Sequence, residues 1–156
     1  MNQRVLNVVM ICVSIGAGAL VNYLGDRLLG VRLEFFMGPY TFSAAWILDL
    51  FLVPVFAGLT VSLIYGLGGK IWCYFSPLIV RVVSYLDAVY GSGVPDGMML
   101  LPIPYWILLV IVAIEAAAIG GVFGEIVAKK TYGRRPRHLV YKKKAATTEV
   151  GENDAA

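Results

Sequence analysis

The chain has 156 residues, of which 59% are hydrophobic and only 15% are charged, and its mean hydropathy is +0.77. Ordinary soluble domains carry about 25% charged residues, and a soluble domain of this length could not bury so much apolar surface. The composition also excludes a disordered chain, a collagen-like chain and a disulfide-stapled domain. It predicts an integral membrane protein.

Four apolar stretches are long enough to cross a bilayer core of about 30 Å, which takes about 20 helical residues. They cover residues 5–24, 43–67, 71–90 and 105–128. We therefore predict an all-α fold, a polytopic bundle of four transmembrane helices, within a transmembrane domain of residues 1–130.

Two of these stretches have a second interpretation. The first stretch could be a cleaved signal peptide, with Arg4 as its positively charged n-region and Ala17-Gly18-Ala19 as its small-residue cleavage site. Its apolar run continues to Leu24, which favours a retained span. The third contains Pro77, which removes a helical hydrogen bond, so a re-entrant segment is the alternative to a full span.

The positive charges are concentrated directly after the last apolar stretch. Residues 129–144 contain eight cations and no acid: Lys129, Lys130, Arg134, Arg135, Arg137, Lys142, Lys143 and Lys144. By the positive-inside rule this end is cytoplasmic, and four spans then place the N-terminus in the cytoplasm too. The block is expected to contact membrane lipid headgroups. Because topology already accounts for it, no nucleic-acid partner is predicted. Residues 131–156, basic and then acidic, are expected to form a disordered cytoplasmic tail.

Two connecting segments lie at the opposite end of the predicted bundle. Residues 26–40 mix apolar and charged side chains, so a short interfacial helix and a loop that contacts partner proteins are equally compatible with them. Residues 91–104 contain three prolines and three glycines and are expected to turn. Trp46 and other aromatic residues near this end are expected to anchor the chain at the lipid interface.

Most enzyme chemistries lack the residues they need. Cys12 and Cys73 are the only cysteines and form no Cys-x-x-Cys motif, and His138, the only histidine, lies in the basic block. We therefore expect no disulfide, no haem, no metal centre and no other cofactor. The chain is expected not to be an enzyme, although a carboxylate-based enzyme acting on lipid stays open.

Four ionisable residues are predicted at depth in the membrane: Asp49, Arg81, Glu115 and, less deeply, Glu125. A charge at the bilayer centre costs about 2.5–3.5 kcal/mol on insertion scales. Counting residues along the spans places Arg81 and Glu115 near the midplane, so we expect them to pair, with Asp49 about one turn above. The pair is either a structural lock or a proton or ion relay, and a charge that pairs with a different subunit is a third interpretation.

Small residues form a row on the last stretch: Ala116, Gly120 and Gly124. Such rows allow two helix backbones to approach closely. The partner could be another helix of this chain or a separate subunit.

The absence of recognisable catalytic chemistry favours a non-enzymatic accessory or structural subunit of a larger membrane complex. The alternative is a small oligomeric proton- or ion-coupled transporter or channel that uses the charges at depth. The expected partners are membrane lipid and other membrane subunits or further copies of the chain. The compact size and the basic block suggest a bacterial inner membrane.

Overall fold

A computed structural model of the chain describes residues 3–132 and consists mainly of helices. In chain order the elements are α1 (Gln3–Leu29), β1 (Phe35–Phe36), a 3-10 turn (Gly38–Thr41), α2 (Ala44–Tyr65), α3 (Gly69–Trp72), α4 (Phe75–Leu86), a π-helical turn (Asp87–Gly91), β2 (Met99–Leu100) and α5 (Ile103–Tyr132). The predicted tail falls almost entirely on residues outside this described range, and so do Arg134, Arg135 and Arg137.

Four helical segments are long and apolar enough to cross a membrane: Arg4–Leu29, Ala44–Tyr65, Gly69–Gly91 and Ile103–Thr131. The predicted all-α architecture with four candidate spans is confirmed. The first helix runs five residues past the predicted end at Leu24, because Asp26 is held inside the protein by an ion pair and need not leave the helix for water. The third span includes the break between α3 and α4.

α2 and α5 are the most closely packed pair of helices, and they run in the same direction. A methyl group at Gly120 would overlap the carbonyl oxygen of Val55, and one at Gly58 would overlap that of Ala117. A Cβ at Gly124 would lie 2.9 Å from the carbonyl oxygen of Leu59. These backbones touch because no side chain separates them.

The predicted small-residue row therefore packs inside the chain. Ala116 is buried, and Gly120 and Gly124 face α2. The row is fully used by this internal contact, so it offers no surface to a separate subunit.

A short break precedes the long part of the third span. α3 ends at Trp72 and α4 begins at Phe75, so Pro77 lies in the first turn of α4. Backbone N–H groups in the first turn have no acceptor within their own helix, so a proline there removes no helical hydrogen bond. Gly68, at φ +91°, allows the chain to turn into α3. The Glu125 carboxylate of α5 accepts hydrogen bonds from the backbone N–H groups of Gly68 (2.9 Å) and Lys70 (3.0 Å) and so caps α3.

The segment between α1 and α2 folds over one end of the bundle. Its strand β1 pairs antiparallel with β2, with Phe35 opposite Leu100, and we call this end of the bundle the sheet end. Leu33, Glu34 and Phe35 are buried there. Of the two interpretations of residues 26–40, the interfacial helix is contradicted, because strand pairing and packing bury the side chains of this segment. Contact of the segment with partner proteins stays a prediction. Trp46 is likewise buried, against Leu50 and Ala113, and not exposed at an interface.

Candidate functional site: a buried charge cluster and an exposed glutamate

The central polar feature of the bundle is a buried arginine surrounded by three carboxylates. The Arg81 side chain is only 1% exposed. Its Nη2 pairs closely with Asp26 Oδ1 and lies 3.6 Å from Asp49 Oδ2, and its Nη1 lies 3.3 Å from Glu34 Oε1. We refer to Asp26, Glu34, Asp49 and Arg81 as the Arg81 cluster.

Each member of the Arg81 cluster comes from a different part of the fold. Asp26 lies in the last turn of α1, Glu34 precedes β1, Asp49 lies in the second turn of α2, and Arg81 lies in the middle of α4. The helices meet at this level because α1 and α4 run up to the sheet end and α2 starts from it. The cluster therefore ties together three helices and the segment that covers the sheet end.

Charge in the Arg81 cluster is not balanced, since one guanidinium faces three carboxyl groups. Both Asp26 and Asp49 approach the same nitrogen of Arg81, so their carboxyl groups lie close to one another. Neither oxygen of Asp49 makes a hydrogen bond. Burial raises the pKa of Glu34 above its usual range, and the positive charge of Arg81 opposes this shift.

The cluster opens at one point toward a groove between α1 and α4. Asp26 is its most accessible acid with an 11% exposed side chain, and it lines a cavity of about 790 Å³. Much of the lining of this cavity is apolar, and Arg27, Arg32 and Asp87 line it as well. Arg32 Nη1 pairs with Asp87 Oδ2 at 3.3 Å and donates to Ser92 Oγ at 3.1 Å, so the charges of Arg32 and Asp87 neutralise each other.

Of the three residues predicted to cluster at depth, the structure brings together only Asp49 and Arg81. The predicted pair between Arg81 and Glu115 was wrong. Ala113, Ala116 and Ala117 are buried, and the last of these contacts α2. Glu115 therefore points to the outer surface of α5.

Glu115 is exposed on that surface, where Ile111 and Ile119, one turn to either side, are exposed as well. The carboxylate forms no hydrogen bond or ion pair with any residue that the structure describes. Glu115 follows the start of α5 by 12 residues, or about 18 Å at the helical rise of 1.5 Å per residue. It therefore lies well inside an apolar span.

Two members of the Arg81 cluster were missed in the sequence. Asp26 was assigned to a surface loop because it follows the first apolar stretch, and Glu34 because it lies in a mixed segment. A usable signal was present: a buried arginine needs carboxylate partners, and Asp26 and Glu34 are the two acids that precede Asp49 in the sequence. Lys129 and Lys130, the two described members of the basic block, are exposed in the last turns of α5.

The chain matches no protein-family model, and neither a curated protein nor a solved structure shows significant similarity to it. The class of protein to which the chain belongs therefore has to be read from its own sequence and structure. Four apolar helices of membrane-spanning length define an integral, multi-pass α-helical membrane protein.

Proposed function

We propose that this protein is a non-enzymatic subunit of a larger membrane assembly and that it joins the assembly through the outer face of α5. The observation that carries the proposal is Glu115, an exposed carboxylate in the middle of an apolar helix surface. An ionised side chain facing lipid at this depth is costly, and residues of this kind usually contact protein or water. A neighbouring protein would remove the carboxylate from lipid.

The Arg81 cluster supports the same proposal because its geometry suits a structural lock. All three carboxylates converge on Arg81, so these contacts join α1, α2 and α4 to the segment that precedes β1. Among residues 3–132, no group of three or more His, Cys, Asp or Glu side chains is arranged to hold a metal ion. The orientation with both termini in the cytoplasm of a bacterial inner membrane belongs to this proposal.

A second candidate function is supported by the groove between α1 and α4. Three carboxyl groups face one guanidinium, and Asp26 links this cluster to the cavity. A small proton- or cation-coupled transporter could use such a path. Its test is a pH-driven flux in vesicles, which Asp26→Asn would abolish and Glu115→Gln would leave unchanged.

The subunit proposal is tested by gentle extraction of the protein from its native membrane, followed by measurement of the protein content of the particle. We expect a second membrane protein in a fixed ratio to this chain. Glu115→Leu should release that protein, because the substitution removes the carboxylate and retains the apolar surface.

Glu125→Gln is the matched control, because Glu125 lies on the same helix but caps α3 within the chain. This variant should retain the second protein. A particle that contains only this chain would refute the subunit proposal, as would equal loss of the second protein in both variants.

A further inference from the structure

Glu115 is the one polar side chain along a continuous apolar strip of α5. The exposed residues one or two turns away on the same face are all large and aliphatic: Leu108, Ile111, Ile119 and Val122. Residues three, four and seven positions apart share one face of a helix. This strip therefore offers a docking surface for one long helix, with a single carboxylate at its centre.

A second copy of this chain does not complement that carboxylate. Copies inserted in the same orientation would place Glu115 beside Glu115, at equal depth. The described chain also has no free cation at this level: Arg81 is buried in its cluster, while Arg27 and Arg32 lie at the sheet end. Lys129 is 14 residues farther along α5, or about 21 Å away along the axis.

From this charge pattern we infer that the occupant of the α5 strip is a transmembrane helix of a different protein, with a lysine or arginine near its own midpoint. The inference rests on the proposed function. A carboxylate and a cation that meet within the membrane form a charge-assisted hydrogen bond and relieve each other's cost of burial in lipid. The aliphatic side chains on either side of Glu115 would pack against the apolar remainder of that helix.

The single charge also sets the position of the contact. A partner helix that slid along the strip by one turn would leave both charges facing apolar side chains. One buried polar contact is known to fix the register of packed helices in this way. The ion pair therefore acts mainly on specificity, while the aliphatic side chains supply the packing.

The probe for this inference is a set of three synthetic transmembrane helices that differ only at the central residue, which is Lys, Gln or Leu. Each peptide carries an acceptor fluorophore, and the full-length chain, in phospholipid vesicles, carries a donor. Energy transfer then measures association. We expect the Lys peptide to bind about tenfold more tightly than the Leu peptide, with the Gln peptide between them.

Two variants of the chain test whether Glu115 is responsible. Glu115→Leu should remove the preference for the Lys peptide, and Glu115→Lys should transfer the preference to a fourth peptide with a central Glu. Both substitutions fall on an exposed surface, so the bundle should fold, and tryptophan fluorescence, to which the buried Trp46 contributes, reports whether it does. Glu125→Gln should bind the Lys peptide as the wild type does.

The outcomes separate this inference from the proposed function. Equal binding of all three peptides would overturn the inference even if the native particle contains a second protein, and the subunit proposal would then stand alone. Self-association of the wild-type chain that Glu115→Leu abolishes would also overturn it, in favour of a homo-oligomer. A native particle that contains only a monomer refutes the proposed function whatever the peptides show.

Discussion

Replacement of Arg81 by methionine should destabilise the bundle more than any other single change in the Arg81 cluster. Methionine retains the apolar stem of the side chain and removes its positive charge. Asp26, Glu34 and Asp49 would then face one another with no cation within the cluster. Their mutual repulsion and their burial both act against the folded state.

The magnitude follows from the burial and from the pattern of contacts. Arg81 is 1% exposed, and loss of one partner of a buried ion pair costs about 3–5 kcal/mol. Asp26→Asn should cost less, about 1–3 kcal/mol, because it weakens one charge-assisted hydrogen bond. Asp49→Asn should change stability by less than about 1 kcal/mol or increase it, since Asp49 forms no hydrogen bond and its carboxyl group lies close to that of Asp26.

The assay is reversible unfolding in mixed micelles with a denaturing detergent, followed by tryptophan fluorescence, to which the buried Trp46 contributes. Double-mutant cycles test directly which carboxylates pair with Arg81. Substitutions of Arg81 and Asp26 should show an interaction energy of more than about 1 kcal/mol in the free energy of unfolding, whereas the effects of substituting Arg81 and Glu115 should add within about 0.5 kcal/mol. If Glu115→Gln rescued Arg81→Met, the assignment of partners would be wrong. A loss below about 1 kcal/mol for Arg81→Met would refute the structural lock.

Three further predictions concern packing, capping and pH. Gly120→Ala should destabilise the bundle by about 1–3 kcal/mol in the same assay, because its methyl group would meet the Val55 carbonyl oxygen. Gly16→Ala, whose new Cβ has no atom within 4 Å, should be neutral or stabilising. Equal effects of the two substitutions on stability would contradict the packing of α2 on α5. Glu125→Ala should cost about 0.5–2 kcal/mol through the lost cap of α3, and faster hydrogen exchange at residues 68–70 should accompany the loss. Because burial raises the pKa of Glu34 in the folded state, its contribution to stability is present below the ordinary glutamate pKa of 4.5 and is lost as pH rises through the raised pKa. Glu34→Gln should therefore flatten the fall in stability above pH 4.5. An unchanged dependence of stability on pH would contradict the burial of Glu34.

The spans could be predicted from the sequence because apolar length is a local property. Each of the four predicted stretches corresponds to a candidate span, although Asp26 lies within a helix and not after it. The closeness of Asp49 and Arg81 also followed from counting residues, because both positions fall on rigid helices. What counting could not supply is the direction in which each side chain points around its helix.

Glu115 illustrates that limit. Counting residues gives its position along α5, 12 residues after the start of the helix, but not the face of the helix on which it lies. Gly58 and Gly120 allow the backbones of α2 and α5 to come into contact. This contact fixes the rotation of α5 about its axis, and Glu115 then lies on the face of α5 away from α2. Glu34 could not be placed for a different reason: its burial depends on the pairing of β1 with β2, two strands separated by 62 residues.

The exposure of the α5 strip to lipid in the native membrane tests most directly whether the outer face of α5 contacts a second protein. A fluorophore is attached to a cysteine introduced at position 111, in a chain whose exposed Cys12 is replaced by serine. Quenching of its fluorescence by a quencher dissolved in the lipid phase is then measured. We expect the fluorophore to be shielded in the native membrane and quenched when the purified chain is alone in vesicles. Equal quenching in both would show that Glu115 faces lipid in the native membrane, which would contradict the proposed contact between α5 and a second protein.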